Sequence, residues 1–187
     1  MIVFLDTNTL NFLCNPNQFA EAVECEKWFY TSYSRGVSFF TSDLCDYEIR
    51  RGLIASCIRS NKNSKGLSIL NQCRNDGYIS FLAVTKEVLD IASELWARSS
   101  VNSQSNKDVK NIDVDIIISA HCQLLSDNQP GQRVIVATIN IKDLSIYCEA
   151  ANWQDIKLWF CDHGKTNTRK MQAMCASGSS QSKIEAP

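Results

Sequence analysis

Ile2-Val3-Phe4-Leu5-Asp6-Thr7-Asn8-Thr9 decides the fold. Four consecutive strand-forming apolar residues read as a buried strand, since a strand covered on both faces shows a continuous apolar run rather than alternation. The run stops at a carboxylate followed by hydroxyl and amide residues suited to capping a helix. An acid at the C-terminal end of a buried strand stands where parallel α/β sheets place their chemistry. Asp6 is therefore the first candidate site residue.

Working outward, apolar strand runs alternate with helical periodicity. A helix is expected over residues 19–33, stopped at Gly36, then a strand over 37–41 and a helix from Ser42 or Asp43 to about residue 60. A helix over 65–73, a strand over 78–84 and a helix over 85–99 follow. Residues 99–111 are polar and read as a surface loop. The run 112–125 is almost continuously apolar and reads as a buried helix. A strand over 134–137, a short helix over 142–150 and a last strand over 156–160 complete the expected order. Strands separated by helices predict a three-layer α/β/α sandwich with a central parallel sheet. One domain is expected over residues 1–161. Residues 162–187, rich in Lys, Asn, Ser, Gly and Gln, read as a disordered tail.

Composition narrows the chemistry. With 187 residues and a net charge of −1, the chain advertises no global basic field for nucleic acid. A polyanionic substrate would need local basic residues or metal ions. Its nine cysteines are odd in number and form no C-x-x-C pair, which suits reduced thiols better than a disulfide framework or a zinc site. Two histidines, His121 and His163, are scant material for zinc sites or histidine-based triads. The N-terminal apolar run is too short for a signal peptide, and no stretch reaches the roughly 20 apolar residues that span a bilayer. A soluble, cytoplasmic protein is expected.

Further acidic groups fall at the starts of later helices. Glu48 lies in the helix after the second strand, with Arg50 and Arg51 free to take the solvent side. Asp115 sits in the first turn of the most apolar helix, where an unpaired carboxylate costs several kcal/mol and so is paired, metal-bound or at an edge. Thr138, Asn140 and Asp143 follow the strand 134–137. In a parallel sheet these strand ends share one edge. Hard oxygen donors without His or Cys are the ligands that Mg²⁺ or Mn²⁺ prefers. Asp43 and Asp46 read as cap and first-turn residues, and Asp113 as the cap of its helix before a ligand. Asp143 reads equally as a cap or a ligand.

These residues carry a resemblance. IVFLDTN (2–8), TSDLCDYEIRRGL (41–53), DIIISA (115–120) and VIVATINIKDLS (134–145) resemble, in order, the four motifs of PIN-domain proteins, nearest the VapC-like toxins of bacterial toxin–antitoxin pairs. The resemblance spans about residues 1–160 and departs at Asn140, where the family usually has an acid. It implies a metal-dependent endoribonuclease, commonly a homodimer, restrained by a small antitoxin. Asp6 and Asp115 would bind Mg²⁺ or Mn²⁺, and Glu48 would ligate through water or orient the attacking hydroxide. Asn140 would complete the shell, with Asp143 and Asp113 as further candidates. Thr138, Arg50 and Arg51 would face the RNA, helped by Arg59, Lys62, Lys65 and Arg74. In-line attack of water would leave a 5′-phosphate and a 3′-hydroxyl.

Two rival readings stand beside it. A haloacid-dehalogenase-type phosphatase needs D-x-D-x-T, and Asn8 occupies its second acidic position. A catalytically silent PIN fold that only binds RNA or a partner is supported by Asn140.

Overall fold

Ile2, Val3, Phe4 and Leu5 are all buried, and the strand they form, β1 (Ile2–Leu5), has neighbours on both sides. The computed structural model describes residues 1–15, 20–102 and 112–156. After β1 come α1 (Thr7–Cys14), α2 (Ala20–Tyr33), β2 (Ser38–Ser42), α3 (Asp43–Ser60), α4 (Lys65–Asn75), β3 (Ile79–Leu82) and α5 (Lys86–Asn102). The remainder is α6 (Ile112–Asn128), β4 (Val134–Ala137), α7 (Ile141–Leu144), β5 (Ala150–Ala151) and a 3₁₀ turn, Trp153–Asp155. Strand order is β3-β2-β1-β4-β5 and every pairing is parallel. Helices cover the sheet as an α/β/α sandwich, the architecture expected from the alternation of elements.

Because β1 pairs with β2 on one side and β4 on the other, the chain order reverses beside it. Such a switch point opens a crevice beyond the strand ends, and Asp6 and Thr138 are the first residues past β1 and β4. Register fixes this: Leu5 pairs with Ala137, so the two strands stop level. Phe4 is fully buried and stacks on His121 of α6, ring centroids 5.8 Å apart. Its burial contributes on the order of 2–3 kcal/mol. The other side of the core gathers Trp28 and Phe29 of α2 around Phe39 of β2, at 5.6 and 4.5 Å. Phe29 is thus a core residue and Trp28 packs half-buried against the core, whereas Trp96 on α5 is 46% exposed.

Several expected boundaries shift. Helix α1 had no counterpart in the expected order. Asp6 caps it, its Oδ1 accepting the Thr9 backbone N–H at 2.7 Å, and Leu10, Leu13 and Cys14 bury its inner face. The expected helix over 142–150 is only the single turn of α7. The last strand among the described residues is Ala150–Ala151, held to β4 by hydrogen bonds from Val136 N–H to Glu149 O and from Thr138 N–H to Ala151 O, at 2.8 and 2.9 Å. Ile156, expected to open a strand, instead follows the 3₁₀ turn, and the rest of that stretch, 157–160, lies outside the described residues. Helix α5 runs into the expected loop as far as Asn102, while 103–111 and the expected tail also lie outside. No described helix is long and apolar enough to cross a membrane.

Candidate active site

At the C-terminal edge of β1 and β4 the polar groups are connected rather than scattered. Thr41 Oγ1 donates to the Leu5 carbonyl at 2.9 Å, and Thr9 Oγ1 donates to the Ala137 carbonyl at 2.7 Å. These buried hydroxyls donate to strand-end carbonyls, that of Ala137 also accepting the Asp6 N–H at 3.2 Å. Asp6, itself only 4% exposed, is held from two sides. Beyond the capping bond to its Oδ1, its Oδ2 accepts from Thr138 Oγ1 at 2.6 Å. Burial raises its pKa, and the hydrogen bonds from Thr138 and Thr9 oppose that rise by favouring the anion.

Glu48 reaches the same place from α3, which Ser42 caps by accepting the Leu44 N–H. Its Oε2 accepts from Thr7 Oγ1 at 2.6 Å, and Arg51 lies 3.4 Å from its Oε1. Asp115 arrives from the first turn of α6, and its Oδ2 accepts from Asn140 Nδ2 at 3.1 Å. Asn140 in turn donates its backbone N–H to Thr138 Oγ1 at 2.8 Å. Asp6, Thr7, Asn8, Glu48, Asp115 and Asn140 line one cavity of about 210 Å³, together with Val114 and Ile118.

The electrostatics follow from this crowding. Burial first, then the negative charges of Asp143, Asp6 and Glu48, push Asp115 up to about 6. Carboxylates gathered in half-buried space repel one another, and a cation or a proton relieves them. The donors are carboxylate, amide and hydroxyl oxygens, a set that suits a hard divalent ion. Among the described residues, no three side chains drawn from His, Cys, Asp and Glu form a ready metal cage. Magnesium is commonly held by one or two carboxylates with water completing its shell, so this donor set fits it without such a cage.

The structure brings Asp6, Glu48, Asp115, Thr138 and Asn140 together from four elements and their connections. Asp143 is exposed on α7 and acts on Asp115 through its charge, without lining the cavity. The side chain of Asp113 lies outside those described. Of the two expected RNA contacts on α3, Arg51 is exposed beside Glu48, its guanidinium 5.5 Å from the Tyr47 ring centroid. Arg50 is committed elsewhere: it chelates Asp46 at 2.9 and 3.2 Å and reaches Asn71 at 2.9 Å. Arg74 is likewise bound to Asp43 and Asp46 and lies over the Phe81 ring. Asp46 is therefore the buried anchor of an ion network joining α3 to α4, more than the first-turn residue expected. Lys62 and Lys65 line a different cavity, of about 280 Å³, between α3 and α4.

Sequence reasoning passed over Thr7 and Thr9 as specific partners, for their contacts lie 41 and 128 residues away. It also discounted His121. That imidazole is 1% exposed, faces Ser42 Oγ at 3.2 Å, and is pushed down to about 4 by burial, which keeps it neutral and out of the cavity chemistry. The seven described cysteines are free thiols.

No family model matches the sequence, and no curated protein matches it. Solved structures do. VapBC2 from Rickettsia felis, solved bound to a DNA fragment from their promoter, superposes with a TM-score of 0.57 at 17% identity, over 82% of this chain and 99% of that one. VapBC-1 from nontypeable Haemophilus influenzae gives 0.55 at 18%, over 83% and 100%. FitAcB from Neisseria gonorrhoeae gives 0.57 at 16%, over 82% and 99%. The fold is that of a VapC-like PIN domain.

Proposed function

We propose that this chain, folded as a VapC-like PIN domain, is a metal-dependent endoribonuclease and the toxin of a VapBC-type toxin–antitoxin pair. The observation that carries the reading is the convergence of Asp6, Glu48, Asp115 and Asn140 on one cavity at the carboxyl edge of a parallel sheet. The solved neighbours are VapBC and FitAB assemblies, which supports a small antitoxin as partner. A cytoplasmic homodimer with RNA as substrate completes the proposal.

In this reading Asp6 and Asp115 hold Mg²⁺ or Mn²⁺, with Asn140 beside them. A divalent ion bound there supplies charge to the scissile phosphate and acidifies water at neutral pH, the service a histidine base gives elsewhere. Glu48 orients the attacking water and takes its proton, held in that pose by Thr7 and Arg51. The water oxygen bonds to phosphorus as the bond to the 3′-oxygen breaks, and that oxygen takes up a proton from solvent while Glu48 returns its own to solvent. The products are a 5′-phosphate and a 3′-hydroxyl. Arg51, exposed at the margin of the site, holds the RNA backbone.

The test is incubation of purified protein with structured RNA and Mn²⁺. Cleavage that both EDTA and Asp115→Asn abolish is the expected result. Retention of RNA without cleavage would select instead a binding-only PIN fold, the reading that Asn140 favours. Cleavage that survives chelator and mutant would expose a contaminant.

The hydroxyl of Thr7 gives a finer expectation. Thr7→Val keeps the side-chain volume but removes the 2.6 Å donor to Glu48 Oε2. Loss of a partner that orients a site carboxylate commonly costs on the order of 10–100-fold. A kcat/KM for RNA falling by about that much, with KM little changed, is expected. An unaltered kcat would show that Glu48 needs no such support.

A further inference from the structure

We infer that Asn140 restricts the acidic cavity to a single divalent cation, because its amide holds Asp115 as a donor in the place where a fourth carboxylate would serve a second ion. This rests on the ion-binding part of the proposed function and goes beyond it.

Asn140 stands at the N-cap of α7, a position that asparagine favours because its side-chain oxygen accepts a backbone N–H of the first turn. Here the side chain makes no capping bond. It turns into the cavity, and Nδ2 donates to Asp115 Oδ2 at 3.1 Å. The same residue's backbone N–H donates to Thr138 Oγ1, whose hydroxyl donates to Asp6 Oδ2. One residue thereby braces both principal carboxylates, Asp115 directly and Asp6 through Thr138.

An amide nitrogen has no lone pair to give a metal, so the edge of Asn140 that faces Asp115 acts only as a donor. Its role there matches what a second cation would otherwise do, which is to offset negative charge on Asp115. Of the groups lining the cavity, three are carboxylates, and each already accepts at least one hydrogen bond. With no RNA bound, two divalent ions would carry four positive charges against three carboxylates, an excess that a fourth carboxylate would cancel. Asp143 does not replace the missing acid, being exposed and absent from the cavity wall. A carboxylate at position 140 would face Asp115 at hydrogen-bond range, an arrangement sustained only by a proton or another cation.

The inference is tested by titrating Mn²⁺ into the full chain without RNA, counting bound ions from the free Mn²⁺ signal in electron paramagnetic resonance. One ion per chain is expected for the wild type. Asn140→Asp should take two, the first held about tenfold more tightly, as affinity in oxygen-ligand sites follows ligand charge. Asn140→Ser, which removes the amide without adding charge, should still take one and guards against misfolding of the acidic variant; circular dichroism in EDTA checks the fold of each. Two ions on the wild type, one on a folded Asn140→Asp, or two on Asn140→Ser would each overturn the inference. No bound ion on the wild type would remove its premise as well. Absence of RNA cleavage by a protein that binds one ion would instead sink the nuclease reading and leave the inference intact.

Discussion

Asp6→Asn is expected to lower RNA cleavage by about 10³-fold or more and to leave the protein folded. The magnitude follows from what the residue does in the proposed mechanism. Removing a preorganised charged group from a transition-state site typically costs two to three powers of ten, and Asp6 serves both the ion and the hydrogen-bond chain to Asn140. Retention of fold follows from shape. Asparagine is isosteric, its Oδ1 can still accept the Thr9 N–H that starts α1, and Thr138 Oγ1 can reverse to accept from the new Nδ2. Burial already disfavours the charge on Asp6, so neutralising it removes a destabilising feature from the metal-free protein. In cells, expression of the wild type alone should slow growth and the variant should not. Equal cleavage rates for the two proteins would refute the assignment of Asp6. A growth effect common to both would refute the toxin reading while leaving the chemistry open.

How much of this site was legible beforehand divides along sequence distance. β1 and Asp6 were readable because burial on both faces leaves an uninterrupted apolar run, and the acid that ends it is adjacent. Asp115 stood out because a carboxylate inside Ile112–Asn128 conflicts with the burial of its neighbours. The partners that hold these residues were not readable. Thr7 meets Glu48, and Thr138 meets Asp6, only after the parallel sheet has aligned β1 with β4 and brought α3 over the edge. Arg50 illustrates the converse. Its spacing of four residues from Asp46 is a helical ion-pair spacing visible in sequence. Arg74, 28 residues further on from Asp46, completes the network and withdraws both arginines from the substrate role expected of them.

The missed elements have equally local causes. Thr7-Asn8-Thr9 are weak helix formers that favour caps, so α1 was invisible until packing of Leu10, Leu13 and Cys14 was taken into account. β5 is two alanines, residues with no strand preference, and it exists because β4 offers hydrogen-bond partners to any backbone beside it. Of the stretch 156–160, which looked more strand-like than Ala150–Ala151, only Ile156 is described, and it is buried after a 3₁₀ turn. At Ala150–Ala151 propensity lost to register.

Asp115→Asn is expected to stabilise the metal-free protein at pH 7 by about 1–2 kcal/mol while abolishing cleavage, so that stability and activity move in opposite directions. Folding raises the Asp115 pKa from an ordinary carboxylate value to about 6 through burial and the charges of Asp143, Asp6 and Glu48. A group whose pKa is raised on folding contributes its full stability below the unfolded value, near 3.8, and loses that contribution as pH rises through about 6. The full linkage would approach 3 kcal/mol, and partial exposure of the side chain screens it to the smaller figure. In thermal terms that is a rise of roughly 2–8 °C for a chain of this size. His121 gives the opposite slope, since its lowered pKa makes the folded state lose stability as pH falls from 6.5 through about 4. The informative quantity is therefore the difference between wild type and Asp115→Asn, measured in EDTA across pH 4 to 8. That difference should be small at pH 4, grow through pH 5 to 7 and level off above, because asparagine does not titrate. Adding Mn²⁺ at pH 7 should raise the melting temperature of the wild type and leave the variant almost unmoved, reversing their order. A pH-independent gap would place the origin of any stabilisation in packing, and an unshifted wild type in saturating Mn²⁺ would mean that the strained carboxylates are not relieved by a cation.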